Sequence, residues 1–131
     1  MSPSFLPASS PAAAHPDAGQ VVTKAVLRAA DALRLNGRAL AEVVGVSEAT
    51  VSRMRKTQYA LEPGTKPFEL AVLFVRLFRA LDAIVGGDAR SASAWLVNPN
   101  TALGGVPAEK IRTVAGLVDV IAYLDARRAR L

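Results

Sequence analysis

The chain has 131 residues, 51% of them hydrophobic and 21% charged, too apolar for a disordered polymer and long enough for one domain or two small ones. Sixteen Lys and Arg against eleven Asp and Glu give a net charge of +5, a balance that suits a polyanionic partner. There is no Cys and the one His is His15, which excludes disulfide scaffolds, Cys-ligated zinc, iron–sulfur clusters and thiol chemistry, and argues against His-dependent catalysis in the folded part.

No metal and no cofactor is therefore expected. Residues 1–19 contain no Lys or Arg and have Pro at 3, 7, 11 and 16, unlike a secretion signal. The most apolar run, residues 70–75, is far shorter than the roughly 20 residues that span a bilayer. These features point to a soluble, cytoplasmic protein with no membrane partner.

Taken in chain order, residues 1–19 are mostly Ser, Pro and Ala and read as a flexible tail. From Gln20 a 3.6-residue period takes over, with Val22, Val26, Ala29 and Leu33 on one face and Asn36-Gly37 as a stop. Short helices are predicted over residues 38–44 and 48–56, the second with Ser47 placed to cap its free N–H groups. Residues 59–66, with Pro63-Gly64, read as a connecting loop.

Residues 40–53, LAEVVGVSEATVSR, have the spacing of a helix-turn-helix. The small Ala41 lets two helices approach, Gly45 permits the left-handed backbone of a tight turn, and Val51 plugs the interface from the second helix. Leu40, Val44, Val46 and Met54 complete the apolar underside. The second helix then turns Ser47, Glu48, Ala49, Ser52, Arg53 and Lys56 outward, where hydroxyls and guanidinium read base edges or phosphates in a DNA major groove. The plainer alternative is a helical hairpin with a glycine turn. Charge favours double-stranded DNA, since residues 21–66 carry a net +4 and residues 67–131 only +2.

A long helix is predicted over residues 67–85, with only Glu69, Arg76, Arg79 and Asp82 charged. Phe74, Leu77, Phe78 and Leu81, together with Leu70, Leu73 and Ile84, are too many for one subunit's core on this reading, so the helix is expected to build a homodimer. Gly86-Gly87 ends it and Asp88 caps a helix through Trp95 to Val97. Residues 98–106, NPNTALGGV, form a loop, and Pro107 opens a helix reaching about Thr113. The last helix carries Leu117, Val120, Ile121 and Leu124 on one stripe, then Arg127, Arg128 and Arg130. No stretch alternates at period two long enough for a strand, so the fold is all-α.

Trp95-Leu96, Asn98-Pro99-Asn100, Leu103-Gly104-Gly105, Pro107, Gly116-Leu117 and Tyr123-Leu124 together resemble the signature of the Xre/ParS/MbcA antitoxins, which neutralise RES-domain toxins. The resemblance covers about residues 21–131. It implies an N-terminal Xre-like helix-turn-helix bundle over residues 20–66, then a long dimerisation helix and a small helical toxin-binding domain over residues 67–131. The implied partners are a RES-domain toxin acting on NAD, operator DNA and a second copy of the chain. The C-terminal domain would cover the toxin's active-site cleft, and the helix-turn-helix would repress the protein's own operon.

Asn98, Asn100, Leu103, Gly104, Gly105, Tyr123, Arg127, Arg128 and Arg130 are the candidate toxin-binding residues. Each has a structural alternative: the asparagines satisfy local turns, the glycines shape a loop, Trp95 fills a core, and the arginines end a helix in solvent. An enzyme is poorly supported. Asp82 and Asp88 flank a Gly-Gly stop, Asp119 and Asp125 point to different sides of a helix, and no Ser or Thr has a His partner. A stand-alone helix-turn-helix repressor, with residues 86–131 serving only for dimerisation, is the remaining alternative.

Overall fold

The computed structural model describes residues 17–130, and among them the chain forms seven helices and no strand. Helix α1 (Ala18–Ala32) starts ahead of the expected Gln20 because Asp17 caps it. The Asp17 carboxylate accepts the Gln20 N–H at 2.7 Å, and the Gln20 side chain accepts the Asp17 N–H in return. Of the expected tail, residues 1–16 lie outside the described ones, whereas Ala18 and Gly19 are helical.

Asn36-Gly37 does not end α1. The chain reverses at Arg34, φ +61°, where the Arg34 N–H bonds the Asp31 carbonyl at 3.1 Å and the Leu35 N–H bonds the Ala30 carbonyl at 2.8 Å. These are the paired bonds of a Schellman end. Asn36 instead caps α2 (Gly37–Val44), accepting the Ala39 N–H at 2.8 Å. Helix α3 (Glu48–Arg55) stops one residue short of the expected Lys56 and ends in the same way, on Thr57 at φ +57°. Helix α4 (Lys66–Ile84) does so on Gly86 at φ +63°. Only the last of these three ends uses the residue type that announces it in a sequence.

Helix α4 is the spine. It packs against α1, α2, α5 (Ala89–Val97) and α7 (Val114–Ala129). Leu70, Phe74, Leu77 and Leu81 are buried, while Leu73, Phe78 and Ile84 are half-buried against the same core. The expectation that one subunit has no room for these seven side chains is therefore corrected. With α1 and α2 on one side and α7 on another, α4 uses most of its circumference within the chain, and of its large apolar residues only Val72 is left out, 43% exposed. Burying each large apolar side chain contributes about 1.5–3 kcal/mol.

The loop after α3 is pinned from inside. Leu61 is buried and donates its N–H to Thr23 Oγ1 at 2.8 Å, and the Thr23 hydroxyl donates to the Gly19 carbonyl at 2.7 Å. In the C-terminal half, α6 (Pro107–Lys110) stops before the expected Thr113, because Thr113 caps α7 by accepting the Gly116 N–H at 3.0 Å. A Cβ on Gly116 would collide with the Lys110 carbonyl, so only glycine lets α6 lie against the first turn of α7.

Candidate functional site

Helices α2 and α3 meet at Gly45, φ +82° and ψ 37°, whose N–H bonds the Ala41 carbonyl at 2.8 Å. The left-handed conformation there strains any side chain, which is why a glycine occupies the turn. Leu40, Ala41, Val44, Val51 and Met54 are buried beneath it and Val46 is half-buried. The opposite face carries Ser47, Glu48, Ala49, Ser52, Arg53 and Lys56, all exposed.

These six side chains are not equally free. The Ser47 hydroxyl caps α3, accepting the Thr50 N–H at 3.0 Å, and lies 2.9 Å from the Thr50 hydroxyl. Glu48 sits in the first turn, where a carboxylate favours the helix dipole. Arg53 Nη2 donates to Thr50 Oγ1 at 3.1 Å, and its guanidinium carbon stands 5.9 Å from the centre of the Tyr59 ring. Arg55 turns the other way, to an ion pair with Asp31 at 3.0 Å on α1. Lys56, at the C-cap, stays exposed. Thr50 and Tyr59 belong to this surface although sequence reasoning passed over them. The contact from residue 53 to residue 59 depends on the chain reversal at Thr57, and no glycine marks that reversal.

In the C-terminal half, Asn98 Nδ2 donates to the Ala94 carbonyl at 2.7 Å and so closes the end of α5. Asn100 and Gly105 exchange backbone hydrogen bonds at 2.9 and 3.2 Å, and Asn100 Oδ1 accepts the Leu103 N–H at 3.1 Å. The loop is thereby locked, with Leu103 half-buried against the core and Gly104 exposed at φ +73°. Half-buried Trp95 stacks on Tyr123, ring centres 6.2 Å apart and planes 20° from parallel. Arg127 Nη1 donates to the Tyr123 hydroxyl at 3.0 Å, and its guanidinium carbon lies 5.8 Å from the ring centre.

That hydrogen bond from Arg127, then one from Asn100, holds the Tyr123 phenol below its usual pKa, with the positive charges of Arg127 and Arg130 acting in the same sense. Asn100, Tyr123, Arg127 and Arg130 are thus brought together. Arg128 is not with them. Successive helical residues are about 100° apart, and Arg128 lines a separate groove with Val22, Val72, Val75 and Arg79. The three arginines, expected to act as one cluster, divide between two faces. Neighbouring Asp125 is paired with Arg76 of α4 at 2.7 Å.

A family model of the antitoxin Xre-like helix-turn-helix domain matches residues 12–76, and one of the antitoxin Xre/MbcA/ParS C-terminal toxin-binding domain matches residues 80–130. The chain belongs to the Xre/ParS/MbcA-type antitoxins. The antitoxin's two matched stretches meet within α4, which closes the core under the helix-turn-helix and carries α7 on another side. No curated protein matches the chain. Among the described residues, no helix is long and apolar enough to cross a membrane.

Proposed function

We propose that this antitoxin binds and blocks the active site of a cognate RES-domain toxin that consumes NAD, and represses its own operon by binding operator DNA as a cytoplasmic homodimer. The observation that carries the reading is the joining of the two matched domains in one chain, with a polar surface on each. In this reading residues 20–66 read DNA, through Ser47, Glu48, Ala49, Ser52, Arg53 and Lys56. Residues 67–131 supply dimer and toxin contacts. Because α4 spends its large side chains internally, exposed Val72 and Val21 of α1, which line one groove, are the apolar contacts assigned to a second subunit.

Toxin contact is assigned to the locked loop, with Asn98, Asn100, Leu103, Gly104 and Gly105, and to Tyr123, Arg127, Arg128 and Arg130 on α7. Guanidiniums suit this role because their planar fork meets carboxylates bidentately. Co-expression with a candidate RES-domain toxin tests the reading. The full chain restores growth and cellular NAD, whereas deletion of residues 127–131 releases the toxin and leaves operator binding nearly intact. No rescue by the full chain, with DNA binding preserved, would favour a stand-alone repressor.

A further inference from the structure

Arg53 does not stand free on α3. Thr50 Oγ1 holds it at 3.1 Å on one side, and the Tyr59 ring faces its guanidinium at 5.9 Å on the other. A guanidinium at this range over an aromatic face is drawn to the ring's negative quadrupole, and stacking limits its rotation. Tyr59 is itself placed by the backbone. Thr57 turns the chain back, the Gln58 N–H closes on the Arg53 carbonyl at 2.8 Å, and two residues beyond Tyr59 the buried Leu61 is tied to Thr23 of α1. Tyr59 is 40% exposed, so it is not a core residue that merely happens to lie near an arginine.

We propose that Tyr59 is a positioning residue for DNA readout: it fixes the Arg53 guanidinium in one orientation off α3, so that its two donors meet the two major-groove acceptors of a single guanine. This rests on reading α3 as the groove-entering helix. Bidentate contact to guanine O6 and N7 demands a planar fork held at one angle, whereas a phosphate accepts a donor from many. Removing the ring therefore lowers affinity for a guanine-bearing operator and spares sequence-independent binding.

The test uses the full chain with two duplexes of equal length, one carrying the region upstream of its own gene and one of random sequence. A cation–aromatic contact at an exposed site corresponds to about two- to five-fold in affinity. Tyr59→Leu is expected to lose that factor on the upstream duplex only, Tyr59→Phe to keep it, and Tyr59→Leu to add nothing when Arg53 is already Ala. Equal losses on both duplexes, a loss in Tyr59→Phe matching that of Tyr59→Leu, or an undiminished effect in the Arg53→Ala background would overturn the proposal. Equal affinity of the unaltered chain for both duplexes would overturn the DNA reading beneath it. The Arg53 Nε–Hε resonance of the free protein separates the two failures: an upfield ring-current shift that vanishes in Tyr59→Leu supports the contact, and an unshifted resonance contradicts it.

Discussion

The helix-turn-helix and the C-terminal half present their polar side chains in opposite ways. Around α3, Glu48, Ala49, Ser52 and Lys56 project singly, and of the six candidates only Ser47 and Arg53 are engaged, by Thr50 and Tyr59. In the C-terminal half most of the candidates are held in place, Asn98 by the Ala94 carbonyl of α5, Asn100 across its loop, and Tyr123 between Trp95 and Arg127, while Arg128 lies apart. On the proposed function, the contrast suits each surface to a different kind of partner. A DNA groove repeats and is met by side chains projecting from a helix. A protein cleft is irregular, and a surface assembled beforehand lowers the ordering cost of filling it.

The largest effect is expected at the element both halves share. Phe74 is fully buried in α4, and Phe74→Ala is expected to cost about 3–5 kcal/mol and to unfold both halves in a single transition. Urea denaturation followed by Trp95 fluorescence and by helical circular dichroism should give coincident curves. Separated transitions would show that the halves have independent cores. Gly116→Ala sharpens the contrast on one side only. Its Cβ meets the Lys110 backbone, so a loss of about 1–3 kcal/mol is expected, with the upstream duplex still bound where the variant is folded.

The smallest expected effect concerns Tyr123. Its folded pKa lies below that of an ordinary tyrosine, about 10, so ionisation favours the folded state. The resulting stabilisation is present above about pH 10 and is lost as the pH falls through the folded value, leaving stability at neutral pH unchanged. Tyrosinate absorbance should show Tyr123 ionising below the usual tyrosine range, and Arg127→Ala should move it back up. An unmoved titration would remove the Arg127 contact from the account.

What was legible in the sequence follows from which residues have one dominant use. Gly45, Ser47 and Asp88 each mark a turn or a cap by chemistry that few other residues share, and the apolar stripes of α1 and α7 are set by the helical period. The ends of α1 and α3 were hidden because Arg34 and Thr57 occupy left-handed positions that their types rarely take. The bond from Leu61 to Thr23 joins residues 38 apart, and no local pattern encodes such a separation. The division of Arg127 from Arg128 was readable from the 100° step, yet charge clustering along the chain masked it. Gly116 was visible as part of a signature, but its reason, the carbonyl of Lys110, appears only once α6 and α7 are packed.

The proposed function requires one chain to carry two separable binding surfaces. Two variants test it together, Arg53→Ala on α3 and the pair Tyr123→Ala with Arg127→Ala on α7, each assayed for upstream-duplex affinity and for rescue of growth and NAD from the co-expressed RES-domain toxin. The account predicts that Arg53→Ala weakens the duplex by about 1–3 kcal/mol and still rescues, while the α7 pair binds the duplex normally and fails to rescue. Full rescue by the α7 pair, or loss of both activities in either folded variant, would contradict it.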